Sequence, residues 1–242
     1  MNLAIDIGNT SISAALFKNN ILVKKSYFNS IEKSIDFFSS IREHNIQSCI
    51  ISSVVPKLTS DYTTLLKENY NLPVINITYK LSKLDLQVPH PETVGSDRLC
   101  NIFAVQRDYK IPAIIIDFGT ATTYDVINNK KQFIGGVIAA GIETSANYLI
   151  NKAALLSKTD LLFPENVVGV DTQTNIQSGI MFGAVDQVEG MIKRITLETK
   201  TDYSVILTGG FSDLISPQLT FSHTVDKDLT LKGVIYIYES NN

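Results

Sequence analysis

The residues best suited to chemistry lie in two short segments that resemble each other. Residues 3–10 read LAIDIGNT and residues 114–120 read IIIDFGT, so each is an apolar run ending in Asp-x-Gly with hydroxyl residues close behind. The glycine lets backbone N–H groups approach an anion, and the hydroxyls add donors. Because the carboxylates of Asp6 and Asp117 would repel phosphate, each is expected to hold a cation or a metal-bound water beside it.

One such segment alone is more simply explained as a hairpin with a glycine in its turn. Two copies change that interpretation, because Asp6 and Asp117 lie 111 residues apart in a chain of 242. This spacing favours a doubled fold with one phosphate-binding turn in each half. A nucleotide clamped between two such turns is one way to build a phosphotransferase.

A second motif, Gly95-Ser96-Asp97-Arg98, joins a loop to a predicted helix. Asp97 has two interpretations here. It either stabilises the helix N-terminus through the helix dipole, or it is a poised carboxylate beside an arginine that binds an anionic substrate group in bidentate fashion. The residues alone leave both interpretations open.

Two glycine motifs complete the set of candidates. Gly135-Gly136 and Gly141 would let the backbone approach a ligand, although a tight turn before a helix is the simpler interpretation. Gly209-Gly210 ends an apolar strand and suits packing against a flat ring such as adenine, but any join between a strand and a helix gives a similar pattern.

The elements that must position these residues also repeat. In the first half, strands are predicted at 3–6, 12–17, 21–27, 48–55 and 72–77, with helices at 30–43 and 59–68. In the second half, strands are predicted at 114–117, 121–127, 133–137 and 205–208, with helices near 143–157 and 173–199. An asparagine pair follows the second strand of both halves. Residues 233–238 fit a strand or a helix. The pattern predicts mixed sheets with helices on their faces.

Composition restricts the function classes. Hydrophobic residues make up 44% and charged residues 19%, and the net charge of −3 argues against a nucleic-acid partner. No apolar stretch is long enough to span a membrane, and no secretory signal is evident. Cys49 and Cys100 are flanked by apolar residues and are predicted to be buried free thiols, which suits the cytoplasm. The histidines do not have zinc-site spacing.

Together the motifs resemble the type III pantothenate kinases, members of the acetate kinase, sugar kinase, heat-shock 70 and actin superfamily. The resemblance runs in order through DIGNT, SSVVP, GSDR, DFGTATT and IQSG. It implies an α/β fold of two ribonuclease-H-like (actin-like ATPase) domains, residues 1–110 and 111–242. Each would be a mixed sheet flanked by helices, and the two would face across a cleft. A homodimer that completes each pantothenate pocket from the neighbouring subunit is also implied.

The resemblance implies ATP-dependent phosphorylation of the terminal hydroxyl of pantothenate, the first step toward coenzyme A. By family position, Asp97 is the general base, and Asp117 binds a monovalent cation, potassium or ammonium. The implied substrate-binding residues are Gly95, Ser96, Asp97, Arg98 and Thr172. The implied ATP-binding residues are Asp6, Ile7, Gly8, Asn9, Thr10, Ser11, Ile12, Ser13 and Thr120. Elementary phosphoryl-transfer chemistry adds Mg²⁺ on the ATP phosphates, with Asp6 near its water shell.

Three positions depart from the family pattern. Val88 replaces a tyrosine that contacts substrate, Ala140 replaces a proline, and Asp171 replaces an asparagine. The carboxylate of Asp171 either repels an acidic substrate or faces solvent. Two alternatives therefore stay open: a catalytically silent regulatory relative, and a kinase for another small hydroxyl acid. A retained general base at Asp97 counts against the regulator.

Overall fold

The computed structural model describes residues 1–153 and 156–242. Its strands are β1 (Asn2–Ile7), β2 (Ile12–Lys18), β3 (Ile21–Phe28), β4 (Ser48–Ser53), β5 (Val74–Asn76), β6 (Ala113–Phe118), β7 (Ala121–Ile127), β8 (Phe133–Ala140), β9 (Ser204–Gly209) and β10 (Thr224–Val225). Its helices are α1 (Ile31–Ser40), α2 (Pro56–Tyr70), α3 (Tyr79–Ser82), α4 (Ser96–Asp108), α5 (Ile142–Lys152), α6 (Thr172–Thr199), α7 (Ser212–Ile215) and α8 (Leu229–Glu239).

The chain forms two compact units. Unit 1 contains Met1–Tyr109, Gln132–Ile134 and Asp228–Asn242, and unit 2 contains Lys110–Lys131 and Gly135–Lys227. These units differ from a simple division into 1–110 and 111–242, because α8 at the C-terminal end of the chain belongs to unit 1. The segment that fitted either a strand or a helix lies within α8.

Unit 1 is built on a mixed five-stranded sheet in the order β3-β2-β1-β4-β5. The central strand β1 pairs antiparallel with β2 and parallel with β4. Aromatic and aliphatic side chains from α1 and α2 pack on one face, and residues from α4 and α8 pack on the other. Leu3, Ala4 and Ile5 are therefore fully buried, which is why this segment reads as a continuous apolar run.

Unit 2 repeats the arrangement with the strand order β10-β9-β6-β7-β8. Its central strand β6 pairs antiparallel with β7 and parallel with β9. Ile114, Ile115 and Ile116 are fully buried, and the long helix α6 contributes Met181 and Val188 to the same core. The predicted pair of mixed sheets flanked by helices is confirmed.

Some predicted boundaries shift. Helix α2 begins at Pro56, three residues before the predicted start, because proline suits the first turn of a helix. Helix α5 ends at Lys152, and positions 154 and 155 of the predicted helix lie outside the described residues. Asn19 and Asn20 form a turn with positive φ angles of 49° and 64°. After β7, in contrast, the positive φ of 60° falls on Lys131, so the second asparagine pair makes a different turn.

Candidate active site

The first Asp-x-Gly turn lies at the end of β1. Asp6 is half-buried, and the strand register places it between Ser13 on β2 and Ser52 on β4. The Ser52 hydroxyl donates a hydrogen bond to Asp6 Oδ1 at 2.8 Å. The turn closes where the Gly8 N–H donates to the carbonyl oxygen of Ser11 at 3.0 Å.

The predicted ATP-binding segment divides into two kinds of residue. Asn9, Thr10 and Ser11 are exposed and can present side chains and backbone groups to an anion. Ile7 and Ile12 are buried in the core at 0% and 2% exposure. Any contact that these two residues make with a nucleotide would therefore come from their backbone atoms.

Asp97 lies in the first turn of α4. Its Oδ1 accepts a hydrogen bond from the Arg98 N–H at 2.8 Å, and a carboxylate at this position is favoured by the helix dipole. The backbone of Gly95 approaches closely, because a Cβ atom added there would lie 2.5 Å from Asp97 Oδ1. Asp97 is only half-buried, so the helix contact and a reactive role are both compatible with its position.

Ser96 attaches the start of α4 to the end of β4. Its Oγ accepts from the Ser53 N–H at 2.7 Å and donates to the Ser53 carbonyl oxygen at 3.0 Å. The same oxygen lies 3.1 Å from Ser52 Oγ. The candidate groups at the ends of β1, β4 and the start of α4 are thus brought together within unit 1.

The thiol of Cys100 lies close enough to Asp6 and Asp97 for their charges to affect its pKa. Burial raises the pKa of its thiol well above the usual value, and the negative charges of Asp6 and Asp97 raise it further. A hydrogen bond with Ser52 acts in the opposite direction. The fully buried thiol is therefore neutral, and it lies within the electrostatic field of both carboxylates.

Arg98 is held by an aromatic contact. Its guanidinium carbon lies 5.5 Å from the centre of the Phe133 ring, within the range of a cation–π interaction. Phe133 lies in the short segment Gln132–Ile134, which belongs to unit 1, and it is only 1% exposed. The contact with the ring restricts the orientation of the guanidinium, as binding of an anionic substrate group would require.

A cavity of about 520 Å³ opens beside Gly95 and Ser96. Ser53, Val54 and Thr78 contribute to its lining, so its walls mix hydroxyl and apolar groups. This size and lining suit a small molecule with both polar and apolar parts. Gly95 and Ser96, the two residues that precede Asp97 in the chain, both line it, whereas Asp97 is not one of its lining residues.

The second Asp-x-Gly turn lies at the end of β6 in unit 2. The register places Asp117 between Thr123 on β7 and Thr208 on β9, which reproduces the hydroxyl neighbours of Asp6. Thr120 is exposed, and its carbonyl oxygen accepts from Gly141 N and Thr144 Oγ1 at 3.1 and 2.7 Å.

Gly209 lies directly against this carboxylate. Its φ of +87° belongs to the left-handed region that favours glycine, and an added Cβ would lie 2.5 Å from Asp117 Oδ1. A glycine is therefore required at position 209, because the backbone there lies too close to Asp117 for a side chain. The contact of Gly209 and Gly210 with an adenine ring stays a prediction.

Thr172 is the first residue of α6 and is exposed. Asp171, the departure beside it, is the N-cap of this helix: its carboxylate accepts from Thr174 N at 2.7 Å and from Thr174 Oγ1 at 2.8 Å. The backbone and side-chain hydrogen bonds of Thr174 lower the pKa of Asp171. This carboxylate therefore has a structural role that asparagine could also fill.

The remaining two departures lie at different degrees of exposure. Val88 is half-buried in the segment before α4, and Ala140 is the exposed last residue of β8. Neither change removes one of the carboxylates or hydroxyls described above.

The donor set fits ATP with Mg²⁺. Among the described residues, no group of three or more His, Cys, Asp or Glu side chains could hold a metal by itself. Mg²⁺ in phosphoryl-transfer sites is usually held by one or two carboxylates together with substrate phosphates and water. A half-buried carboxylate beside a turn with exposed hydroxyl residues, as at Asp6, suits that mode.

One contributor was not singled out from the sequence. Ser52 lies in the SSVVP segment, but its role depends on its pairing with Asp6 across the parallel strands β1 and β4. That pairing joins residues 46 positions apart in the chain. No local pattern contains this information, although a buried strand ending in two serines was a visible signal.

The family model and a curated relative agree on one family, and the solved structures share the fold. Residues 2–194 match the family model described as type III pantothenate kinase. A protein of that name from Halalkalibacterium halodurans is 36% identical over 253 residues, covering 100% of both chains. Among solved structures, a protein described as a Baf family transcriptional activator from Campylobacter jejuni has a TM-score of 0.65 at 19% identity, covering 99% of this chain and 98% of the other. An activator of 2-hydroxyisocaproyl-CoA dehydratase from Clostridium difficile, solved with ADPNP, has a TM-score of 0.57 at 12% identity, covering 99% and 95%.

Proposed function

The chain belongs to the type III pantothenate kinase family, and we propose that it transfers the terminal phosphoryl group of ATP to the terminal hydroxyl of pantothenate. This reaction is the first step of coenzyme A biosynthesis. The observation that carries the residue assignments is the matched pair of Asp-x-Gly turns, one at the end of the central strand of each sheet.

The turn after β1 is the proposed phosphate-binding loop. Its exposed residues, Asn9 to Ser11, offer backbone N–H groups and hydroxyls, and phosphoryl transfer depends mainly on positioning and charge stabilisation. Mg²⁺, when bound, neutralises charge on the ATP phosphates. Asp6 would orient a water of the metal shell, and the Ser52 hydroxyl donates a hydrogen bond to one of its carboxylate oxygens.

Asp97 is the proposed general base. As the substrate hydroxyl attacks phosphorus, a carboxylate within hydrogen-bond reach accepts its proton. The half-buried position of Asp97 in the first turn of α4, directly after the cavity-lining residues Gly95 and Ser96, supports this role. Arg98 is the proposed partner for the pantothenate carboxylate, because guanidinium groups bind carboxylates in a bidentate geometry.

Unit 2 supplies the remaining proposed contacts. Asp117 holds a monovalent cation, potassium or ammonium, and Thr120 contacts ATP. Thr172 contacts pantothenate, and its exposure at the start of α6 leaves it accessible. The hydroxyl residues Thr123 and Thr208 flank Asp117 in the register and suit an oxygen-rich cation environment.

We further propose a homodimer. Val167, Val168 and Val170 lie just before Thr172 and are 63%, 82% and 93% exposed, which is a costly arrangement for three apolar side chains in water. A second copy of the chain covering this segment would bury them and complete the pantothenate pocket. Sedimentation of active enzyme as a dimer is the expected result, and an active monomer would exclude this arrangement.

The proposed location is the cytoplasm. Cys49 and Cys100 are buried and unpaired, as is usual in a reducing compartment. In the described parts of the chain, no helix has the length and apolar character needed to cross a membrane.

Product formation tests the proposed function directly. Purified protein is incubated with MgATP, with and without pantothenate, in potassium and in sodium buffers. We expect ADP release that requires pantothenate and is faster in potassium. ATP binding without turnover in either buffer would contradict the kinase assignment, whereas turnover with a different hydroxyl acid alone would contradict the choice of substrate.

A further inference from the structure

We propose that Ser52 is a positioning residue that orients Asp6 and, through Ser96, fixes the helix start that carries Asp97. The inference builds on the proposed function and adds to it a residue outside the predicted site. It concerns unit 1 alone, and it rests on the hydrogen bonds of two buried serines, Ser52 and Ser96.

The first step is the contact between Ser52 and Asp6. The two residues are directly paired on the parallel strands β1 and β4, and Ser52 Oγ lies 2.8 Å from Asp6 Oδ1. Ser52 is 0% exposed, so water does not compete for its hydroxyl. A serine hydroxyl has one proton and an ionised carboxylate only accepts, so that proton is committed to Asp6.

The second step links Ser52 to α4. The Ser52 and Ser96 hydroxyl oxygens lie 3.1 Å apart. Because the Ser52 proton goes to Asp6, a hydrogen bond in this contact uses the single proton of Ser96, which Ser96 shares with the Ser53 carbonyl oxygen. Ser96 is itself held to both the N–H and the carbonyl of Ser53, and it directly precedes Asp97. The end of β1 is therefore connected to the start of α4 through two buried hydroxyls, those of Ser52 and Ser96.

This connection matters for phosphoryl transfer. Mg²⁺ requires near-octahedral geometry and keeps several waters, so the orientation of a single carboxylate affects how well its shell fits. Groups that orient such carboxylates typically contribute 10–100-fold to metal affinity or activity. If the Asp6 side chain could rotate freely, its carboxylate would also lose its fixed position relative to Asp97. In the proposed mechanism Asp6 serves the Mg²⁺–ATP complex, and Asp97 accepts the proton of the hydroxyl that attacks the same ATP.

The experiment compares three variants of the full chain. Ser52→Ala removes the donor, and Ser52→Thr keeps it. Ser48→Ala is the matched control, because Ser48 lies on the same strand, is 7% exposed and has a hydroxyl 2.9 Å from Tyr238 Oη, remote from Asp6. The readouts are Tm, kcat and the Mg²⁺ requirement. The Mg²⁺ requirement is the Mg²⁺ concentration at which binding of a non-hydrolysable ATP analogue reaches half of its maximum.

For Ser52→Ala we expect the Mg²⁺ requirement to rise about 10-fold and kcat to fall about 10–100-fold. Ser52→Thr should restore both values, while Ser48→Ala should lower Tm without changing the Mg²⁺ requirement. An unchanged Mg²⁺ requirement in Ser52→Ala would overturn the proposal, as would an equal shift in Ser48→Ala. If the threonine variant does not fold, Ser52→Cys, a weaker donor of similar volume, should lie between the alanine variant and the parent.

Failure of the proposed function would be recognised separately. A parent protein that binds the Mg²⁺–nucleotide complex but does not phosphorylate pantothenate would contradict the substrate assignment. The Mg²⁺ dependence of analogue binding would still decide the role of Ser52, since that measurement needs no acceptor.

Discussion

The two units place an aspartate at the same point of the same kind of sheet. Asp6 and Asp117 each end a central strand, and each lies between hydroxyl residues on an antiparallel and a parallel neighbour. The turns that follow differ, because Asp6 pairs with Ser13 seven positions later and Asp117 with Thr123 six positions later. The first turn is thus one residue longer.

The surroundings of the two aspartates differ further. In unit 1 the parallel neighbour Ser52 leads through Ser96 to a helix that begins with a second carboxylate, Asp97. In unit 2 the parallel strand continues into Gly209, whose backbone lies against Asp117. The same scaffold therefore supports a two-carboxylate arrangement in one unit and a closely enclosed single carboxylate in the other. We interpret the first as suited to Mg²⁺ and proton transfer and the second to a monovalent cation.

The largest effect is expected from removing the carboxylate of Asp97, the second carboxylate of the arrangement in unit 1. Asp97→Asn keeps the size of the side chain but removes its basicity, so kcat should fall about 10²–10⁴-fold. Nucleotide affinity should stay within about twofold, because the turn at Asp6 is untouched. Steady-state turnover and calorimetric nucleotide binding check this. Asp108→Asn, at the other end of α4 and bonded to Tyr236, is the control. Retained turnover in Asp97→Asn would remove Asp97 from the role of base.

The next effect addresses the enclosed carboxylate of unit 2. Gly209→Ala forces a side chain into the left-handed region, at a cost of about 1–2 kcal/mol, and its Cβ meets Asp117 Oδ1 at 2.5 Å and Phe118 N at 2.6 Å. We expect a lower Tm and loss of potassium stimulation, measured by thermal unfolding and by turnover in potassium and sodium. Gly210→Ala, where an added Cβ has open space, is the control. Equal behaviour of the two variants would show that the close approach to Asp117 is unimportant.

The two central strands and the start of α4 could be predicted from local sequence, whereas the form of α8 could not. The central strands were predictable because burial on both faces produces continuous apolar runs such as Ile114–Ile116. The start of α4 was predictable from its Gly-Ser-Asp-Arg motif. The helix α8 was ambiguous, because its Val-Ile-Tyr-Ile-Tyr run is common in strands, and only packing against α4 and β1 decides its form.

Contacts between residues on neighbouring strands could not be predicted from the sequence. The link from Ser52 to Asp6 depends on strand register, and the approach of Gly209 to Asp117 depends on a parallel pairing between distant segments. The capping role of Asp171 could have been inferred from local spacing, because Thr174 follows it by three residues, as in a capping box.

The smallest expected effect concerns that cap. Hydrogen bonds from Thr174 lower the pKa of Asp171, so the ionised cap stabilises the fold above the ordinary carboxyl pKa of about 3.9, and this contribution is lost as pH falls through the lowered pKa. Asp171→Asn should keep the cap and remove its pH dependence, whereas Asp171→Ala should lower Tm at neutral pH. Thermal unfolding from pH 7 to pH 3 tests this: a Tm difference between parent and Asp171→Asn that stays constant with pH would contradict it.

The central claim is that the two matched turns divide the work between a divalent and a monovalent cation. The most direct measurement titrates Mg²⁺ in potassium and in sodium buffers for Asp6→Asn and Asp117→Asn, following pantothenate-dependent ADP release. The account predicts that Asp6→Asn raises the Mg²⁺ requirement and keeps the potassium-to-sodium rate ratio, while Asp117→Asn abolishes that ratio and keeps the Mg²⁺ requirement. Equal effects of both substitutions on both cations would contradict it.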